Sequence, residues 1–326
     1  MPRKHRLEYP GAIYHIINRG NYRRPIFETD KTKKAFEGCL FEACEKSGWV
    51  LHTFIVMGNH YHLTLETPQG NLVAGMHWLQ GTFANRFNRF RKEHGHLFQG
   101  RYKAILVDHG KPLGETCDYH HLNPVLAKIL PFERLAEYRF SSYWYLLHPR
   151  ERPAFLRVQT ALECAGALPD TPQGHADYAA RLELQAEKWV LNPGDAKREQ
   201  RRLCSGWAFG PDDFKAALVK EYQLAGDIRA WENPGVHQIR ELRWETALVQ
   251  GLQILGREKE EVARGRKSAL WKLALAAWLK ARTQATNRWL SVKLNLGVPT
   301  SISHNLTRYR RYLQASDPIW KRLKSI

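Results

Sequence analysis

The chain has 326 residues, 43% of them hydrophobic and 25% charged, enough for two domains with cores of their own. Its 50 Lys and Arg against 32 Asp and Glu leave a net charge of +18, which points to a polyanionic partner. No apolar run approaches the roughly 20 residues of a membrane span. The five cysteines (Cys39, Cys44, Cys117, Cys164, Cys204) include no CxxC pair, which argues against a disulfide framework or zinc ribbon and fits a reducing cytoplasm. The basic start Met-Pro-Arg-Lys-His-Arg lacks the apolar stretch of a signal peptide.

The charge is uneven. Residues 1–150 hold 21 basic and 13 acidic residues, net +8; residues 151–235 hold 11 and 13, net −2; residues 236–326 hold 18 and 6, net +12. Two basic blocks around a near-neutral middle fit two separate polyanion-binding surfaces.

In chain order, residues 12–17 read as a strand ended by Asn18-Arg19-Gly20-Asn21. Thr29 or Asp30 caps a helix with Phe36, Leu40, Ala43 and Cys44 inside, closed by Gly48. Trp49 to Met57 is a second strand, and Gly58-Asn59 connects it tightly to a third at 60–67. Asn71 caps a long helix whose stripe Leu72, Met76, Leu79, Phe83, Phe87 and Phe90 is core, with Arg86, Arg89, Arg91 and Lys92 on its other face. Arg101 to Val107 is a fourth strand. Residues 111–122 form a helix that Asn123-Pro124 should end, because the residue before proline avoids the α region. The order βαββαβ, then a helix, predicts an α+β fold: an antiparallel ferredoxin-like or RRM-like sheet with helices on one face and the other face free for a ligand. Residues 131–150 are expected to close this first domain, 1–150. Residues 151–235 are expected to be a helical linker of unknown role, with helices near 175–190 and 212–224.

An all-α domain is expected at 236–326. Residues 267–281 make an amphipathic helix with Leu270, Leu273, Ala274, Ala277 and Trp278 inside. Thr286 caps a second helix containing Leu290 and Leu294, and Asn295-Leu296-Gly297 turns the chain. Thr300 or Ser301 caps a third helix burying Ile302, Leu306, Tyr309 and Leu313. Two short helices around a Gly-containing turn predict a helix-turn-helix for duplex DNA, its second helix in the major groove. That helix offers Ser303, His304, Asn305, Arg308, Arg310 and Arg311.

His60 and His62 are two apart on the third strand and so share a face, roughly 7 Å apart along the chain. A lone His-x-His pair is more often a surface or core feature; His94-Gly95-His96 has the same spacing in a loop and is the weaker candidate. What distinguishes His60 and His62 is a second pair, Tyr119 and Asn123, which share a helix face if the 111–122 helix survives to its last turn. Asn123 can offer a third ligand oxygen beside two imidazoles, a mixed set that suits Mg²⁺ or Mn²⁺ and leaves room for phosphate oxygens. Tyr119 is the candidate nucleophile; a free phenol has a pKa of about 10, so it needs activation. Attack on a phosphodiester would conserve the bond energy, so a strand could be rejoined without a nucleotide cofactor. Arg19, Arg23, Arg24, Arg86, Arg89, Arg101 and Lys103 are candidates to hold backbone phosphates. Phe98, Tyr102 and Tyr61 are candidates to stack on unpaired bases.

The first 150 residues resemble the REP-associated tyrosine transposases, a branch of the single-tyrosine HUH transposases. The likeness runs through Glu8-Tyr9-Pro10-Gly11-Ala12-Ile13-Tyr14-His15 with Asn18-Arg19-Gly20-Asn21, then Met57-Gly58-Asn59-His60-Tyr61-His62-Leu63. It continues in Gly95-His96-Leu97-Phe98-Gln99-Gly100-Arg101-Tyr102-Lys103 and Tyr119-His120-His121-Leu122-Asn123-Pro124-Val125. The chain departs from the pattern at Gly58, where the family has proline, and at His120, where an aliphatic residue is expected. The resemblance implies an HUH nuclease domain with His60, His62 and Asn123 as metal ligands and Tyr119 as nucleophile. It implies cleavage and rejoining of single-stranded DNA at hairpin-forming repeats through a 5′-phosphotyrosine, without ATP. Some such proteins work as homodimers with the tyrosine helix exchanged and others as monomers, so both states stay open. The C-terminal block resembles, more faintly, the helix-turn-helix of bacterial replication initiators. The rival function is a non-catalytic DNA-binding regulator acting through that C-terminal domain; an RNA-binding RRM-like protein fits less well, because paired aromatic motifs on the central strands are missing.

Overall fold

Strand parity and pairing register build the sheet in the computed structural model, which describes residues 7–223, 236–283 and 285–324. The chain divides into two compact units, one built from residues up to 215 and one from the C-terminal helices. The first unit runs β1 (Ala12–Arg19), α1 (Asp30–Ser47), β2 (Val50–Val56), β3 (His60–Thr67), α2 (Leu72–Arg91), β4 (Lys103–Val107) and α3 (Lys111–Leu126). There follow α4 (Ser142–Leu147), α5 (Gln159–Cys164), α6 (Pro172–Leu191), α7 (Pro193–Cys204) and β5 (Ala208–Phe209), and the division between units falls within α8 (Asp212–Gln223).

The strands lie in the order β2-β3-β1-β4-β5. The first four are antiparallel, as the βαββαβ order predicts, but β5 pairs parallel to β4 and makes the sheet mixed. The two faces follow from the register. Tyr14, Ile16, Tyr61, Leu63 and Leu65 pair across β1 and β3 and share one face. The Tyr61 ring stacks on Phe36 of α1 with centroids 4.6 Å apart, so α1 and α2 cover this side. His15, Ile17, Arg19, His60, His62 and Thr64 share the other face.

Several expectations change here. The second face is not free: α3 packs across β2 and β3, burying His62, Thr64 and Thr53. The helix expected at 111–122 continues through Pro124 to Leu126. Proline removes one N–H near the helix end, but Ala127 N–H still reaches Asn123 O at 2.9 Å, so the last turn holds. Phe90 is 71% exposed and leaves the α2 stripe. Asn71 precedes α2 without capping it through its side chain; its Oδ1 instead accepts from Trp49 Nε1 at 2.8 Å. Thr29 does cap α1, in a reciprocal pair with Thr32, and Gly48 closes it at φ 61°.

The expected linker at 151–235 is, over its described part, mostly wall of the first unit. Leu51 and Leu156 bridge at the sheet edge, Tyr178 Oη donates to Asp118 of α3 at 3.0 Å, and β5 extends the sheet. The helices expected near 175–190 and 212–224 are present as α6 and α8. The expected boundary at 235 lies outside the described residues.

The second unit comprises part of α8 and α9 (Val236–Leu255), α10 (Lys259–Arg264), α11 (Leu270–Thr283), α12 (Asn287–Lys293), α13 (Pro299–Tyr312) and α14 (Pro318–Lys324). Trp244, Leu252, Ala274, Trp278, Leu290, Leu306 and Tyr309 belong to its core. The Thr286 cap accepts from Trp289 N–H, and the turn carries Asn295 and Gly297 at positive φ. α13 starts two or three residues early, at Pro299, whose fixed φ suits the first helical position, and Val298 rather than Thr300 or Ser301 holds the cap position. Leu270 (52%) and Leu313 (42%) are exposed rather than inside. Lys272 is buried, and its ammonium donates to Val262 O at 2.7 Å and Gly265 O at 2.9 Å, closing the C-terminal end of α10.

Two glycines of α2 give opposite predictions. A Cβ on Gly75 would lie 2.1 Å from Trp49 Cζ2, inside a buried and hydrogen-bonded indole, whereas one on Gly81 meets nothing within 4 Å. Helix propensity favours alanine by up to about 1 kcal/mol, and overlap with an immobile ring costs about 1–3 kcal/mol. Urea unfolding should therefore give a lower midpoint for Gly75→Ala and an equal or higher one for Gly81→Ala.

Candidate active site

His60 and His62 open the site from β3, their ring centroids 5.1 Å apart. Burial pushes the His60 pKa down to about 4, with Arg19 adding a smaller push the same way. His62 lies deeper and is held well below the ordinary range, first by burial and then by His60, His15 and His120. Both rings are therefore neutral near pH 7, the form that offers a nitrogen lone pair to a cation.

α3 brings Tyr119 over the pair. The Tyr119 and His62 rings lie 5.5 Å apart, edge to face, within one chain, so assembling them needs no exchanged helix. The helix carries Asn123 one turn on, buried, and it lines a cleft together with Tyr119. Burial raises the phenol pKa, Cys204 raises it further, and the polar side chains of Gln200 and Asn123 offset part of the rise. Cys204 Sγ donates to Tyr119 Oη at 3.5 Å. Unassisted, this phenol is protonated at neutral pH.

Two clefts meet at His60, Tyr119 and Gln200. One is lined by Arg19, Arg23, Asn59, His60, His62, Gln99, Arg101, Lys103 and Tyr119, and it is the polar mouth of the site. The other, of about 550 Å³, runs past Leu122, Asn123, Val125, Ala186, Trp189 and Val190. Two neutral imidazoles and a phenol in one cleft, with the Asn123 amide in the adjoining one, are donor types that suit a divalent cation. Deeper in, ligand atoms of His15, His62 and His120 lie within 4.8 Å of one another. Neither ring nitrogen of His120 makes a hydrogen bond of normal geometry.

Of the arginines and lysines proposed from sequence, Arg19, Arg23, Arg101 and Lys103 line the mouth. Lys103 Nζ donates to Cys204 O, and Arg19 Nε to Gln99 Oε1 at 2.6 Å. The other three do not line it. Arg24 makes a two-pronged pair with Glu93 (2.7 and 2.6 Å), Arg86 one with Glu42 of α1 (2.9 and 3.0 Å), and Arg89 is exposed on α2. Tyr61, Phe98 and Tyr102 are buried, with Tyr61 and Phe98 packed into the helix-covered face, so none presents a ring to a base. His94 and His96 are exposed and line neither cleft. In the second unit, Ser303, His304 and Arg308 are exposed on α13, with Ser303 Oγ accepting from Asn287 Nδ2 at 2.6 Å.

Sequence reasoning missed His15, Gln200, Leu203 and Cys204 and treated His120 only as an oddity. Strand parity places His15 opposite Tyr14, but nothing in the sequence gives the register that sets it beside His62. Residues 200–204 arrive from a segment with no readable pattern.

The neutral imidazoles make stability depend on pH. His15 has its pKa lowered to about 4 and His121 to about 3, both chiefly by burial. These folded values lie below the unfolded one, so stability is full above about pH 6.5 and falls as pH drops toward 4, because the unfolded chain takes up protons that the fold excludes. For His15 alone the loss reaches about 3 kcal/mol at the acid end. Urea midpoints should be clearly lower at pH 5 than at pH 7; equal midpoints would mean that these rings are charged in the fold.

Residues 9–121 match the family described as transposase IS200 like. No curated protein matches the chain. A REP-associated tyrosine transposase, solved bound to a REP hairpin, is 14% identical, with 47% of this chain and 89% of that one covered and a TM-score of 0.39. A Deinococcus radiodurans R1 protein assigned as a transposase is 24% identical, with 33% and 87% covered and a TM-score of 0.27. No helix among the described residues is long and apolar enough to cross a membrane. The segment similar to the IS200-like transposases, residues 9–121, holds His60, His62 and Tyr119 and ends before Asn123.

Proposed function

We propose that the N-terminal unit is a metal-dependent single-strand DNA endonuclease and strand transferase acting on hairpin-forming repeats. Tyr119 is its nucleophile, and His60, His62 and Asn123 are its cation ligands. The carrying observation is the meeting of Tyr119 and His62 in one chain, rings 5.5 Å apart, at the floor of a cleft whose mouth holds Arg19, Arg23 and Arg101. The hairpin preference rests on the resemblance to the REP-associated enzymes.

A bound Mg²⁺ or Mn²⁺ would supply Lewis acidity to a phosphate oxygen. The chain's own groups do the rest. Arg19, Arg23, Arg101 and Lys103 hold the strand by its phosphates. Asn123 and Gln200 flank the phenol in the cleft and set its polar surroundings. The Tyr119 oxygen forms a bond to phosphorus as the bond from phosphorus to the 3′ oxygen breaks. The phenol gives up its proton and the freed 3′ hydroxyl gains one. The product is a 5′-phosphotyrosine, and the reverse attack by a 3′ hydroxyl rejoins a strand.

The C-terminal unit anchors the enzyme on duplex DNA. Its α12 and α13 flank a tight turn, and α13 presents Ser303, His304 and Arg308 in a block of net charge +12.

With Mn²⁺ and a single-stranded hairpin, the chain should form an adduct that survives denaturing electrophoresis. Tyr119→Phe should abolish it, and His60→Ala or His62→Ala should slow it by roughly 10²-fold or more. Metal-independent duplex binding without any adduct would favour the regulator instead. For the second unit, Arg308→Ala and Arg311→Ala should each weaken duplex binding and reduce the slope of log K against log salt by about 0.9. An unchanged slope would remove α13 from the DNA interface.

A further inference from the structure

Hydrogen-bond logic fixes more of this site than its ligand set. Leu203 O can only accept, and it lies 3.0 Å from His15 Nδ1, so that nitrogen carries the proton. In the buried, neutral His15 ring the other nitrogen, Nε2, is then an acceptor. It lies 3.0 Å from His62 Nδ1, which must therefore be the donor. The His62 lone pair is left on Nε2.

A second chain of the same kind serves His60. Asn59 Nδ2 donates to Arg23 O at 3.1 Å, which orients the amide and turns Oδ1 toward the ring. Oδ1 lies 2.7 Å from His60 Nδ1, so Nδ1 carries that proton and Nε2 again keeps the lone pair. Both relays end on a backbone carbonyl, a group that cannot reverse its role. Imidazole free in water prefers its proton on Nε2, so both rings are held in the less favoured tautomer.

We propose that His15 and Asn59 are positioning residues that preset the Nδ1–H tautomers of His62 and His60, leaving both Nε2 atoms available to one divalent cation. This deepens the metal-site reading above and rests on it. It also makes α7 part of the site: Leu203 lies beyond residues 9–121, the matched transposase segment, and its carbonyl anchors the longer relay.

The pair of substitutions at His15 tests the relay. Glutamine can both donate to Leu203 O and accept from His62 Nδ1–H, whereas leucine can do neither. Mn²⁺ titrated calorimetrically into the full chain should bind about 10–100-fold more weakly to His15→Leu. His15→Gln should recover most of that loss, and Asn59→Leu should show a similar deficit. The metal-free protein gives an independent readout: long-range ¹H–¹⁵N spectra of ¹⁵N-histidine-labelled chain should show His60 and His62 protonated at Nδ1, with His62 shifting toward Nε2–H in His15→Leu. Urea midpoints identify any variant that simply fails to fold, in which case the wild-type spectra decide alone.

Unchanged Mn²⁺ affinity in a folded His15→Leu, or Nε2–H tautomers in the wild type, overturns the proposal while leaving the ligand pair standing. The pair itself fails if His60→Ala and His62→Ala bind Mn²⁺ normally. Binding that survives His60→Ala but disappears in His120→Leu would move the cation to the His15–His62–His120 cluster and also overturns the proposal.

Discussion

The first unit depends on covering a sheet face that carries histidines. One face of β1 and β3 is aromatic and aliphatic and seals against α1 and α2, its two tyrosine hydroxyls paired with Gln80 and with Leu7 O. The other face carries His15, His62 and Thr64, and α3 lays Tyr119, His120 and His121 upon it. Buried polar groups are costly unless paired. Here the rings are kept neutral and are mostly tied to one another, to hydroxyls or to carbonyls: His121 to Ser142 and Tyr178 at 2.8 Å each, His15 to His62 and Leu203. A core built this way is rigid and selective about proton positions, which is what a ligand pair needs.

From that constraint follows the single open corner. α3 closes the face except where His60, Arg19 and Arg101 reach the surface beside Tyr119. The segment after residue 150 completes the enclosure. α6 and α7 form the apolar wall beside Tyr119, and the end of α7 supplies Cys204 to the phenol and Leu203 to His15. By contrast, exposed pairs such as Arg24–Glu93 and Arg86–Glu42 contribute about 0–1 kcal/mol each and shape the surface more than the fold.

Local patterning made much of this visible. Period-two alternation placed β1, β2 and β3 within a residue or two, and the Thr29 cap and Gly48 stop bounded α1. The spacing of His60 and His62, and of Tyr119 and Asn123, was legible because both depend only on the period of their own element. Pro124 misled because a missing N–H in a last turn is cheap when tertiary packing holds the helix. The aromatic candidates for base stacking misled because composition does not say which sheet face a ring takes: Tyr61 lies one residue from each histidine and therefore points away from both. Phe90, Leu270 and Leu313 fit helical stripes yet sit beyond the ends of their contacts.

By itself, then, the amino-acid sequence determined the element order, the antiparallel four-strand layout, the basic character of the two ends and the spacing of a histidine pair on β3 and of a phenol and an amide on α3. All of these are set by neighbours a few residues apart. The tertiary structure alone decided that α3 covers the histidine face, that β5 joins in parallel, and that residues 188 positions apart share a hydrogen bond through His15 and Leu203. Such contacts depend on register and on packing between distant segments, and no local periodicity encodes either.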